Sequence, residues 1–148
     1  MELDIMNNGP TFMCIGAQKA GTTWLYENLS RHPDVAMPPI KEIHYFDELY
    51  LGVKTGLRHR IFAREGLSKW WWKEKMYDSF RHALRKKKAA HVWWCVRYFF
   101  FRRSLDWYDR LFENASGKVS GDITPDYCIL GKNTVEIIRS RYPNLKII

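Results

Sequence analysis

Long apolar runs, paired cysteines and a basic leader are all missing from this chain. The longest apolar stretch, VWWCVRYFFF at 92–101, is shorter than the roughly 20 residues a membrane span needs, and it contains Arg97. No membrane span is therefore expected. The opening MELDIMNNGP carries acidic residues and no basic region ahead of an apolar one, so no secretory signal is expected either. Together these absences point to a soluble, cytoplasmic protein. The three cysteines, Cys14, Cys95 and Cys128, are odd in number and lack C-x-x-C spacing, and they read as buried thiols of a reducing compartment. The five histidines form no H-x-x-x-H or mixed Cys/His cluster, so no metal site is expected. Internal repeats and low-complexity linkers are absent too, and 148 residues suffice for one domain with a single core.

Acidic residues are scarce in one place. Residues 54–103 hold 15 Lys/Arg against 3 Asp/Glu, a net +12, whereas the rest of the chain is net −4 and the whole +8. Five of the seven tryptophans lie in the same stretch. Two readings follow: an anionic partner or ligand near this segment, or helices whose solvated faces are rich in lysine. Nucleic-acid binding through phosphate contacts and aromatic stacking is a third possibility. It is disfavoured because WWW and WW on helical stretches more often mean packing, so no nucleic-acid partner is expected.

What is present alternates between strand and helix. TFMCIG (11–16) reads as a buried parallel strand, and TTWLYENLSRH (22–32) as a helix with Leu25 and Leu29 one turn apart, stopped by Pro33. MPPIKEIHYFDE (37–48) reads as extended. A helix is expected over 69–88 with Trp72, Met76, Phe80, Ala83 and Leu84 inward, and another over 91–101. A third, over 104–115, has Ser104 as its N-cap. KVSGDITPDY (118–127) reads as strand then turn. NTVEIIRSRYP (133–143) reads as a helix with Val135 and Ile138 inward, and LKII as the start of a second buried strand. The order predicts an α/β domain with a central parallel sheet. The chain stops inside that last apolar run, so the expectation is a single, incomplete domain in which 54–103 is a basic, Trp-rich helical insertion.

The loop CIGAQKAGTT joins the first strand to the first helix. Gly16 and Gly21 keep the spacing of a Walker phosphate loop, yet Thr22 stands where that loop has its lysine, and Lys19 lies inside. Unpaired amides at the start of a helix and its positive dipole end attract phosphate, and Lys19, Thr22 and Thr23 add charge and donors. A tight turn with a surface lysine is the plain alternative; the strand and helix on either side favour phosphate. A P-loop kinase or NTPase fits less well, because the lysine after the second glycine is absent and GDIT is a poor magnesium-binding strand.

GAQKAGTTWLYENLSRHPDV resembles the 5′-phosphosulfate-binding loop of sulfotransferases, which use 3′-phosphoadenosine 5′-phosphosulfate (PAPS) and carry the loop lysine two residues before the second glycine. KEIHYFD (41–47) is similar to the segment bearing the acceptor-activating glutamate in the heparan-sulfate branch and its bacterial relatives. LDWYDRLF, GDITPDY and YPNLKII resemble later signatures of the same branch. Five motifs in order cover most of the chain; only 52–103 is unmatched in detail. The resemblance implies a P-loop-NTPase-like three-layer fold, truncated at its C-terminus, and sulfuryl transfer to a hydroxyl or amine acceptor, a glycan or small metabolite. It places Gly16, Gln18, Lys19, Ala20, Gly21, Thr22 and Thr23 around the donor.

In such a transfer the leaving oxygen gains negative charge, and a cation there stabilises the transition state more than the ground state. Lys19 is the candidate. The acceptor must lose a proton, which a positioned base assists. If 41–46 is extended, Glu42 and His44 share a face while Lys41 and Ile43 point away. The resemblance assigns the base to Glu42 and an orienting role to His44. Relatives often have a second lysine just before the Thr-Pro of GDITPDY, where this chain has Ile123; either Lys41 or a basic residue of 54–103 replaces it, or the acceptor is handled differently. Asp122, Thr124 and Tyr127 are expected near the cleft, although Pro125 and Tyr127 could equally serve turn and packing. The family's arginine and serine for the 3′-phosphate are not in these residues, so this chain alone is expected to be inactive.

Overall fold

The computed structural model describes residues 9–52, 67–85, 89–115 and 117–148, with side chains from 73 onward in the second stretch. The N-terminal leader reading and the lysines at 86–88 lie outside the described residues, and the inward Trp72 outside the described side chains.

Three short parallel strands, β1 (Phe12–Cys14), β2 (Gly121–Ile123) and β3 (Lys146–Ile147), form a sheet in the order β2-β1-β3. The protein is α/β. β1 is buried on both faces, and its period of two divides the core. Phe12 and Cys14 point with Ile123 toward Leu25, Tyr26 and Leu29 of α1 (Thr22–Leu29). Met13 points the other way, into an aromatic cluster that includes Tyr45, Phe46, Trp94, Tyr98, Trp107, Tyr108 and Tyr142. In β2, Gly121 pairs with Phe12, whose ring would lie 2.1 Å from any Cβ there, so only glycine fits this register.

The remaining helices build the aromatic side: α2 (Phe46–Tyr50), α3 (Leu67–Arg85), α4 (Ala89–Phe100), α5 (Leu105–Arg110) and α6 (Lys132–Arg141). Trp94 stacks on Tyr98 at 5.1 Å between ring centroids, and its indole N–H donates to the Leu111 carbonyl at 2.8 Å. Ser104 caps α5, its hydroxyl accepting from the Trp107 amide at 3.1 Å. α6 is tied to α5 by Arg141, whose guanidinium donates to Asp109.

Five expectations are corrected. Residues 37–45 follow an irregular path and Phe46 already begins α2, so 37–48 is not an extended segment. Leu84 is 64% exposed, because α3 meets Phe99 through Phe80 and packs by Ala83, which turns Leu84 outward. α6 enters the core by Thr134 and Ile138, one turn apart, which leaves Val135 half exposed. β3 is an edge strand with exposed side chains, not a buried one. Cys14 and Cys95 are buried free thiols as expected, but Cys128 is exposed, on the turn that follows β2.

Candidate active site

In a parallel sheet, ligand sites form beyond the carboxyl ends of the strands, where the connecting loops diverge. Three segments meet there. The 15–21 loop leaves β1, the 124–129 turn leaves β2, and the 40–45 segment hangs on the end of β2 through the Glu42 amide, which donates to the Ile123 carbonyl at 3.2 Å. Between them lies a cleft of about 380 Å³ lined by Gln18, Lys19, Gly21, Thr22, Thr23, Lys41, Glu42, Pro125 and Asp126.

The loop is shaped by its backbone. Gly21, at φ 85°, is the N-cap of α1 and adopts a left-handed conformation that costs a non-glycine residue energy. Lys19 is also left-handed, at φ 62°, and exposed. The Ala20 amide closes a turn on the Ala17 carbonyl at 3.1 Å, so Ala20 shapes the loop while Lys19 and Gly21 line the cleft. Gly16 stands behind the cleft, 3.7 Å from the Cys128 side chain if a Cβ were added. Gln18 reaches across and donates to Asp126, joining the loop to the turn after β2.

Glu42 and His44 come together, though not by strand alternation. Both are left-handed, at φ 63° and 52°, and with Lys19 they are the non-glycine residues of positive φ among the described residues. Each such position costs of order 1–3 kcal/mol and persists only where its surroundings hold it. Here the surroundings are a buried network. The Ile43 amide donates to Thr124 Oγ1 at 3.1 Å and the Tyr45 amide to Tyr127 Oη at 3.2 Å. Arg103 donates to the His44 carbonyl at 2.9 Å and Tyr98 to the Ile43 carbonyl at 3.3 Å. Under them Asp122 accepts from Tyr108 (2.8 Å), Thr124 (2.7 Å) and Tyr127 (3.0 Å). Burial holds the Asp122 carboxyl above its usual range, against the pull of those three hydroxyls. Asp122, Thr124 and Tyr127 thus lie buried beneath the cleft, while Pro125 and Asp126 line it.

The expected orientation of Lys41 is corrected. It turns into the cleft, its ammonium 2.5 Å from Glu42 Oε1 and 3.2 Å from Thr23 Oγ1, because the left-handed kink at Glu42 breaks the alternation of faces. Ile43 alone of the pair is buried. His44 sits behind Glu42: its Nε2 is 3.7 Å from Glu42 Oε2, while Nδ1 is 2.6 Å from Asp47 Oδ2 and 3.7 Å from Asp126 Oδ2. Burial pushes the imidazole down, but the Asp47 hydrogen bond and charge outweigh it, so its pKa ends above 6.5. Asp47 and Asp126 escaped the sequence reading. The spacing His44-x-x-Asp47 was a visible signal, since Tyr45 and Phe46 begin a helical turn between them. The donor atoms of His44, Asp47 and Asp126 lie within 4.8 Å of one another, a juxtaposition that no spacing of the five histidines revealed.

Known proteins share part of this chain. Over 54 residues it is 43% identical to carbohydrate sulfotransferase 15 of Homo sapiens, and equally to that of Rattus norvegicus, a stretch covering 34% of this chain and 10% of theirs. Over 51 residues it is 41% identical to membrane-associated sulfotransferase kil1 of Dictyostelium discoideum, covering 34% of this chain and 11% of that protein. The chain spans about a tenth of the length of the curated relatives it matches. No family model matches, and no solved structure matches. The partial similarity is to sulfotransferases, hence to transferases. It corrects the expected cytoplasmic location, since one relative is by name membrane-associated. No helix among the described residues is long and apolar enough to cross a membrane.

Proposed function

We propose that the chain carries the 5′-phosphosulfate half of a PAPS-dependent sulfotransferase site, on a P-loop-NTPase-like fold, and that it serves sulfuryl transfer to an acceptor hydroxyl or amine. The observation that carries this reading is the meeting of Lys19 and Glu42, both held with left-handed backbone, in one loop-to-helix cleft with His44 behind Glu42, in a chain partly similar to sulfotransferases. The residues present suit an anionic donor. The cleft gathers two ammonium groups, two threonine hydroxyls and the start of the eight-residue α1. The donor, when bound, supplies the sulfuryl group.

This chain's residues supply the rest. Amides at the start of α1 and the hydroxyls of Thr22 and Thr23 hold the phosphate. Lys19 places its charge where the leaving oxygen turns negative. Glu42 takes the acceptor proton; Lys41 orients its carboxylate through one oxygen, and His44 lies toward the other. Asp47 fixes the imidazole from behind. The acceptor is a glycan or small metabolite, and an anionic one would suit the basic 54–103 segment.

Ligand preference tests this. Adenosine 3′,5′-bisphosphate should raise the melting temperature of this chain more than ATP with magnesium or single-stranded DNA at equal concentration. A ligand at a hundred times its Kd contributes about 2.7 kcal/mol. Stabilisation by ATP with magnesium or by DNA, and none by the bisphosphate, would overturn the reading.

A further inference from the structure

A lysine of the basic segment reaches the backbone of the 40–45 segment beside the cleft. Lys75, on α3, donates to the Lys41 carbonyl at 3.4 Å, and Lys41 is itself bound to Glu42 and Thr23. The charged groups facing Lys75 come from every side: Lys41 and Glu42 from the 40–45 segment, Glu48 from α2, and Arg103 from the turn after α4. His44 feels its charge as well. Burial pushes the Lys75 amine down to about 8; Arg103 and Lys41 push the same way, and Glu42 and Glu48 oppose them. A lysine so placed lies where an added negative charge would be felt, and it stands beside the candidate base rather than beside the loop lysine.

We propose that Lys75 is a positioning residue of the transfer site, supplied by the basic segment, which braces the Lys41–Glu42 pair and meets the negative charge of a ligand in the cleft. The proposal rests on the reading of that cleft as a phosphosulfate site. It gives part of the basic segment a role at the chemistry instead of on a solvated face. It also has a consequence in protons. An anion in the cleft favours the charged amine, so binding draws a proton onto Lys75. Affinity is then strongest below about pH 8 and falls as the pH rises from there toward the amine pKa of the complex.

Calorimetry with adenosine 3′,5′-bisphosphate, at about pH 8 in two buffers of different ionisation enthalpy, counts the protons taken up. The wild-type chain should take up a fraction of a proton, because burial leaves part of the Lys75 amine uncharged at this pH. Lys75→Met, similar in length and apolar, should abolish this uptake and weaken binding about tenfold near pH 7. Lys75→Arg stays charged; it should bind like wild type near pH 6.5, bind more tightly near pH 9, and take up no proton. Uptake unchanged in Lys75→Met, or Lys75→Arg tracking wild type at all pH values, would overturn the proposal. Normal melting of Lys75→Arg separates these results from misfolding. Should the wild-type chain bind no bisphosphate at all, the phosphosulfate reading fails and this proposal falls with it. Binding without Lys75-dependent proton uptake sinks this proposal alone.

Discussion

Replacing Asp122 with alanine should cost more stability than most single substitutions in this protein. Asp122 is 1% exposed and accepts hydrogen bonds from three hydroxyls, those of Tyr108, Thr124 and Tyr127, which are themselves buried. Alanine leaves three donors without their acceptor. An unsatisfied buried polar group costs about 1–3 kcal/mol. Part of that is offset, because burial already disfavours the Asp122 carboxylate, as its raised pKa shows. The net loss should be about 3–5 kcal/mol, a large share of the roughly 5–15 kcal/mol that holds a domain together. For a chain of this size that lowers the melting temperature by about 6–20 °C. Urea denaturation followed by tryptophan fluorescence measures it. Asp122→Asn should lose only about 1 kcal/mol, since its amide oxygen still accepts and a tyrosine hydroxyl can turn to accept from its NH₂. The network also holds Ile43 and Tyr45, on either side of His44. Asp122→Asn should therefore stay folded while weakening bisphosphate binding, as the strained 42–44 backbone relaxes. A loss below about 1 kcal/mol for Asp122→Ala would refute the reasoning, because the three hydroxyls would then have found other partners.

Lys19→Ala should lower the rate of sulfuryl transfer by about two orders of magnitude, the scale of one transition-state donor; activity within twofold of the parent removes Lys19 from the mechanism. Glu42→Gln should abolish most transfer while nearly preserving bisphosphate affinity in calorimetry, with His44→Ala milder. The reverse order would exchange the two roles. His44 should also show in stability against pH. Its raised pKa means that the Asp47 pairing contributes fully below about pH 6.5 and is lost as pH rises through the folded value. His44→Ala should flatten that part of the urea-midpoint profile, and an unchanged slope would assign it to another group. Neutralising Arg85, Lys86, Lys87 and Lys88 together should raise the KM for an anionic acceptor and flatten its salt dependence. A KM that ignores both salt and these charges favours a plain solvated helix.

Local chemistry sufficed for some of this protein and not for the rest. The FMC strand, the Gly21 entry to α1 and the Ser104 cap were legible because each depends on neighbours within a few residues: an apolar run, a glycine where φ is positive, a hydroxyl within reach of the amide three residues on. So were Gln18, Lys19, Thr22, Thr23 and Glu42, which lie in or beside recognisable loop motifs and do line one cleft. Periodicity located α3 and α6 but misjudged Leu84 and Val135, because which face of a helix is buried depends on what packs against it. The conformation of the 41–46 segment was beyond local reading altogether. Its alternation of side chains suggested a strand, yet hydrogen bonds to Thr124 and Tyr127 and from Arg103 and Tyr98, all distant in sequence, hold Glu42 and His44 left-handed. That kink turns Lys41 inward, and α3 brings Lys75 to it from 34 residues away. Residue types and loop spacing carried the chemistry that the chain could perform. Which charges face one another was settled by contacts between segments, since an energetically strained backbone persists only where remote partners repay its cost.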